Sequence, residues 1–351
     1  MSVFINGVGM VSPQLTTGGQ FLNAVVERED IKLLCTEPDY STWFDARQLR
    51  RMSRLTRISL TAAVECIREA GIDSPDAIVT GTGLGCMQDS AAFLRQMIRQ
   101  HEEALSPTPF IQSTHNTISA AIALYLKAHA YNLTCSHRGF SLESALTDAL
   151  MMLSEGKNHI LTGAYDEIIE DSFVIQQRMN LYKKRSILNT RLFADATEGT
   201  IAGEGAAFFM LSNTSGSHCY ARLLAVETLY KPADVQQVHD YIPHLLNRNK
   251  LSPDDIDLLL LGKNGDARHE DFYHQAAAAL PLSGKAAFKH LCGEFPSASG
   301  FALWLGCQIM RNQTVPEVVQ LTPFEKKEIK HLLLYNHYKK INHAFILLAA
   351  C

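Results

Sequence analysis

The first apolar run, Val3-Phe4-Ile5, continues through Val8, set between Gly7 and Gly9, to Met10 and Val11 and stops at Ser12-Pro13. That pattern predicts a buried strand closed by a turn. From Arg54 to Ala70 the period changes: Leu55, Ile58, Ala62, Ala63, Cys66, Ile67 and Ala70 fall on one helical face, and Gly71 supplies the stop. Ala77-Ile78-Val79-Thr80 then reads as a short strand running into Gly81 and Gly83. The order strand, helix, strand is that of a layered, mostly parallel sheet.

Two later stretches look alike. Tyr131–Ser136 is strand-like, and a turn through Gly139 leads into residues 141–153, where Leu142, Ala145, Leu146, Ala149, Leu150 and Leu153 form one helical face. Ala286–Leu291 leads in the same way through Gly293 into residues 297–310, with Phe301, Trp304, Leu305 and Ile309 on a comparable face. Leu258-Leu259-Leu260-Leu261-Gly262 likewise matches Ile78–Gly83. The offsets differ, so this is no solenoid. They suggest two similar α/β halves, 1–213 and 214–351, although any strand-turn-helix resembles another and periodicity alone leaves duplication open.

Composition narrows the class. With 46% apolar and 19% charged residues over 351 positions, the chain can bury a large core. A net charge of −4 provides no basic field, which argues against nucleic acid as a partner. Apolar runs such as Leu258–Leu261 are far shorter than the ~20 residues of a membrane span, and no secretory leader opens the sequence, so a cytoplasmic protein that engages no membrane is expected. The eight cysteines stand singly, with no C-x-x-C pair and no zinc-type grouping, so they read as small buried hydrophobes rather than disulfides or metal ligands. The arginines from Arg47 to Arg57 read as a solvated helix face or a docking patch for an acidic partner.

Several segments, in order along nearly the whole chain, resemble β-ketoacyl-acyl-carrier-protein synthases. They are Ile5–Pro13, Arg50-Arg51-Met52-Ser53-Arg54-Leu55-Thr56-Arg57, Ile78–Gly85, and Gly199-Thr200-Ile201-Ala202-Gly203-Glu204-Gly205-Ala206. The resemblance implies an α/β, thiolase-like fold with two similar βαβαβαββ-type halves in five layers, α-β-α-β-α, built as a dimer. It also implies a cysteine nucleophile at a strand-to-helix elbow and two histidines from the second half. Counting back from Ser154–Ile160 places the nucleophile position at Gly139, which has no side chain to acylate. Cys135 lies four residues upstream, within the predicted strand.

The H-G-T-x-T motif of the family meets Gly262-Lys263-Asn264-Gly265-Asp266 here, with Asn264 at the first histidine. Its K-x-x-x-G-H motif meets Lys289–Glu294, which keeps Lys289 and Gly293 and has Glu294 at the second histidine. A carboxylate there repels the malonyl carboxylate and donates nothing to an enolate unless protonated. The glycine-rich loop of the family is replaced by Asn336–Asn342.

With none of the catalytic side chains intact, the leading expectation is a chain-length-factor-like subunit. It would pair with a catalytic ketosynthase in type II fatty acid, polyketide or aryl polyene synthesis and line the acyl tunnel without doing chemistry. No resident cofactor or metal is expected, and acyl-carrier-protein thioesters would be substrates of the complex. Two other readings stand beside it: an acyltransferase or thioesterase with altered residues, and a homodimeric scaffold that holds an acyl carrier protein.

Overall fold

The structure is a computed structural model that describes residues 2–18, 24–195, 197–326 and 328–351. Ten strands carry the architecture. In residues 4–212 they are β1 (Phe4–Val11), β2 (Ala77–Gly81), β3 (Tyr131–Cys135), β4 (His159–Asp166) and β5 (Gly205–Ser212), lying in the order β3-β2-β4-β5-β1. In residues 221–349 they are β6 (Ala221–Tyr230), β7 (Leu258–Leu261), β8 (Gly284–Ala287), β9 (His331–Tyr338) and β10 (Asn342–Ala349), in the matching order β8-β7-β9-β10-β6. β2 runs parallel to β3 and β4, as β7 does to β8 and β9, and β5 and β10 are each antiparallel to both neighbours. A short antiparallel pairing of Phe4 and Ile5 with Arg222 and Ala221 joins the two sets.

Alternation along the strands divides the core into layers, because successive side chains point to opposite faces. The main helices are α1 (Arg54–Ala70), α2 (Thr117–Leu126), α3 (Ser141–Ser154), α4 (Val235–Arg248), α5 (Glu270–Ala278) and α6 (Ser299–Asn312). Val79 and Ile160 from the first set, and Leu258, Leu260 and Leu332 from the second, pack in one cluster with α3 and α6. Ile78 and Leu161 turn the other way, onto α1 and α2. Leu259, Leu261 and Leu333 turn onto α4 and α5. The result is five layers, helix, sheet, helix pair, sheet, helix, as the resemblance implied.

α1 occupies the span its periodicity predicted. Ser53 caps it by accepting from the Thr56 amide, and Gly71 ends it in the left-handed conformation at φ 66°. It lies so close to β1 that a Cβ on Gly9 would fall 1.9 Å from the Ala62 carbonyl oxygen, which explains the glycine in an otherwise apolar strand. The arginine cluster divides. Arg54 is committed to Glu37 and to the buried Glu204, which also accepts from the Cys35 and Ile168 amides. Arg50 and Arg51 remain exposed.

One expectation is corrected. The sulfurs of Cys219 and Cys351 are bonded, so these two are not solitary thiols. β6 starts where β10 ends, with Arg222 opposite Ala349, and this brings two cysteines 132 positions apart to a Cα separation of 6.3 Å. Spacing in the sequence carries no trace of that pairing. No helix among the described residues is long and apolar enough to cross a membrane.

Candidate functional site

The two central helices begin side by side, and the polar residues singled out from the sequence gather near them. β3 ends at Cys135, and the chain turns through Arg138, whose φ of 52° is left-handed, before α3 begins at Ser141. The strained residue of this elbow is therefore Arg138, one position before Gly139. The Ser141 hydroxyl lies 2.8 Å from the Arg138 carbonyl and 2.9 Å from that of Thr82, pinning the turn. Neither Arg138 nor Gly139 offers a nucleophile. Cys135 stays at the end of β3, where burial and then Asp148 raise its thiol, the opposite of activation.

The space in front of Gly139 is filled. A Cβ built there would sit 2.5 Å from Cβ of Tyr338 and 3.1 Å from Cβ of Asn342. Tyr338 is delivered by a tight hairpin: Lys339 and Lys340 both take left-handed φ, at 55° and 57°, and the Ile341 amide closes the turn on the Tyr338 carbonyl at 3.1 Å. This turn stands where the resemblance implied a flexible glycine-rich loop. Beside it, Leu84, Tyr182, Gly203, Phe295, Pro296 and Tyr338 enclose a cavity of about 20 Å³. That is room for about one water molecule.

Lys289, Glu294 and Asn264 meet directly. Lys289 Nζ donates to both oxygens of Glu294 at 2.8 Å and to the His337 carbonyl at 3.1 Å. Asn264 Nδ2 donates to Glu294 Oε2 at 2.8 Å and lies 3.0 Å from His269 Nδ1. Both hydrogens of the Asn264 amide are thus committed, and its oxygen accepts from the Asp266 amide at 3.1 Å. The backbone fixes these positions: the Thr200 hydroxyl holds the Asn264 carbonyl at 2.6 Å, and the Glu294 amide bonds the Ile201 carbonyl at 2.8 Å. Thr200 and Ile201, in the Gly199–Ala206 segment, therefore seat both residues.

Histidines line the back of this site. Burial lowers His269 to about 4, and His343 also to about 4. His337, fully enclosed and stacked on Tyr273, is held well below its ordinary range by burial, with His343 and Lys289 adding to the effect. These rings are neutral at pH 7 and do not donate as cations. His274 points to solvent, while His290 is buried against the Val318 carbonyl. Tyr338 and the three-histidine layer carry no local signal in the sequence, because their importance comes from contacts between residues about 200 positions apart in the chain or across two strands.

Lys289, Glu294 and Asn264 satisfy one another, while behind them the buried His337 Nε2, His343 Nε2 and Tyr273 hydroxyl have no hydrogen-bond partner. No group of three or more histidines, cysteines or carboxylates among the described residues has the arrangement of a metal site.

The fold is the thiolase-like one seen in solved ketosynthase and chain-length-factor structures. Residues 35–184 match the family model described as the N-terminal domain of β-ketoacyl synthase. The ishigamide ketosynthase/chain length factor superposes with a TM-score of 0.81 at 16% identity, covering 100% of this chain and 99% of that one. A β-ketoacyl synthase from Burkholderia phymatum STM815 gives 0.82 at 15% identity, again over 100% and 99%. A chain from the complex of a type II polyketide-synthase acyl-carrier protein with its ketosynthase bound to the hexaketide gives 0.81 at 14% over 100% and 99%. No curated protein matches the sequence.

Proposed function

We propose that this chain is a non-condensing, chain-length-factor-like subunit. It pairs with a catalytic ketosynthase in type II fatty acid, polyketide or aryl polyene synthesis and helps shape the acyl tunnel of the complex. The observation that carries the reading is the double occlusion of the site: Tyr338 lies against Gly139, and Glu294 is saturated by Lys289 and Asn264. Condensation needs a thiolate to hold the acyl chain, donors for the enolate and room for both substrates. The cavity beside Tyr338 has room for about one water molecule.

A second feature favours a partner of the same fold. Among the described residues, no strand pairs with the outer edge of β3, where Tyr131 and Leu133 are exposed. Leu124 of α2 is 80% exposed beside it, at a hollow of about 810 Å³ lined by alanines of α2 and the following turn together with Asn116, Lys127, His129 and Asn132. An open apolar edge is normally covered, and a like edge from a second thiolase-fold chain would complete it as an antiparallel, isologous-like interface. In this reading the complex works in the cytoplasm, an acyl carrier protein brings its thioesters, and the partner supplies the cysteine and histidines.

Co-expression with a type II ketosynthase that carries the cysteine and both histidines tests the proposal. A stable one-to-one complex is expected, with condensation that stops when the partner's cysteine is replaced. Turnover of acyl-carrier thioesters by this chain alone would replace the proposal with the altered-enzyme reading.

A further inference from the structure

Cys219 precedes β6 and Cys351 follows β10, and those two strands pair along their length from Arg222 opposite Ala349 to Tyr230 opposite Asn342. Their bond therefore ties together the two ends of the segment that contains all five strands of the second set. It also lies at the seam between the two sets. The Tyr220 amide bonds the Ile5 carbonyl at 2.8 Å, the Leu223 amide bonds the Val3 carbonyl at 2.9 Å, and Arg222 Nε bonds the Ala350 carbonyl at 3.0 Å. We propose that the Cys219–Cys351 pair is a thiol–disulfide exchange site, at which a small disulfide such as oxidised glutathione closes a covalent staple across the second half and a small thiol reopens it.

Selectivity comes from the surroundings of the other thiols. Cys35, Cys66, Cys86, Cys292 and Cys307 are buried, and Cys135 is half-buried. Burial pushes each of these thiols up, Cys86 to about 12. Attack on a disulfide requires a thiolate with access to solvent. Cys351 is exposed and Cys219 partly so. The chemistry balances without metal or oxygen. The Cys351 thiolate attacks one sulfur of oxidised glutathione, forming a mixed disulfide and releasing one glutathione thiolate. The Cys219 thiolate then attacks Cys351 Sγ, forming the internal bond and releasing the second. Two protein thiols are oxidised, one glutathione disulfide is reduced to two thiols, and the two protons pass to the leaving groups.

The benefit lies in the unfolded chain. A cross-link spanning 132 positions removes much of the freedom of the denatured ensemble, and the effect grows with loop length. The protein is equilibrated in oxidised or in reduced glutathione and then examined by intact mass, by thiol titration after denaturation and by thermal melting. The oxidised sample should weigh two hydrogens less, titrate six thiols rather than eight, and melt higher by roughly 5 °C. Cys219→Ser and Cys351→Ser should each abolish the two-hydrogen loss and the melting difference, Cys219→Ser stopping at a mixed disulfide of Cys351 with one glutathione, whereas Cys135→Ser should keep both differences. Eight free thiols in the oxidised wild type, equal melting temperatures in the two buffers, or a two-hydrogen loss that survives Cys219→Ser would overturn the assignment. The mass and titration results on the wild type decide it even if a variant fails to fold.

Discussion

Glu294 is 6% exposed and Lys289 is fully buried, so their ion pair stands in a medium where an unpaired charge is expensive. Glu294→Gln removes the carboxylate that neutralises Lys289 and should cost about 3–5 kcal/mol in urea unfolding. Replacing both, as in Lys289→Met with Glu294→Leu, should recover most of that loss. A single variant as stable as wild type would show that Lys289 finds another counter-charge.

Gly139→Cys is the restoring change that the family resemblance suggests, and the geometry opposes it. The new Cβ would meet Cβ of Tyr338 at 2.5 Å, an atom that no rotamer change can move. The variant should lose at least about 1–3 kcal/mol to overpacking and show no acyl adduct by intact mass. A stable, acylated Gly139→Cys protein would mean that the hairpin yields easily.

Glu143, on α3, donates a third residue-scale test. Its Oε1 accepts from the Ser299 hydroxyl at 2.6 Å, its Oε2 has no partner, and burial pushes its carboxyl up to about 7 from an ordinary 4.5. The folded state therefore holds a proton that the unfolded state has released between these values, and this contribution to stability is lost as pH rises from about 4.5 to 7. His269 and His343, lowered from 6.5 to about 4, act in the opposite sense and contribute stability that is lost as pH falls. Glu143→Gln should thus gain stability relative to wild type as pH rises through 4.5–7, measured by denaturant midpoints at several pH values. A constant difference across that window would contradict the buried, protonated carboxyl.

At the scale of elements, local periodicity carried far. The spans of α1 and α3 follow from apolar spacing, because each buries a face whose period its own residues record, and those of β2 and β7 from short buried apolar runs that end at glycine. Ala286–Leu291 is different: the strand ends at Ala287, and Lys289–Cys292 forms a helical turn that aims Lys289 at Glu294. The changes at Asn264 and Glu294 were legible as substitutions in motifs. Their mutual hydrogen bonds, the left-handed turn at Lys339 and Lys340, and the Tyr338 plug were not, since each depends on strands paired across long stretches of sequence. The open edge of β3 carries its own prediction. Leu133→Asp places a charge on that edge and should weaken association with a ketosynthase at least tenfold while leaving the melting temperature of the isolated chain unchanged, as read by analytical ultracentrifugation. Unchanged association would place the interface elsewhere.

Across the whole molecule, the same strand order, with the antiparallel strand in the same place, occurs in residues 4–212 and 221–349, and both sets share one central helical layer. Such a scaffold depends on apolar packing between sheets and helices, which the changes at Gly139, Asn264 and Glu294 leave intact. In the proposed reading, that scaffold serves as a shaped partner without chemistry of its own. The most direct test is intact-mass analysis of the complex of this chain with its ketosynthase after exposure to acyl- and malonyl-carrier thioesters, with the partner's cysteine either present or replaced. The account predicts acyl adducts and product only when that cysteine is present, and never an adduct on this chain. An acyl adduct on this chain, or condensation that survives loss of the partner's cysteine, would contradict it.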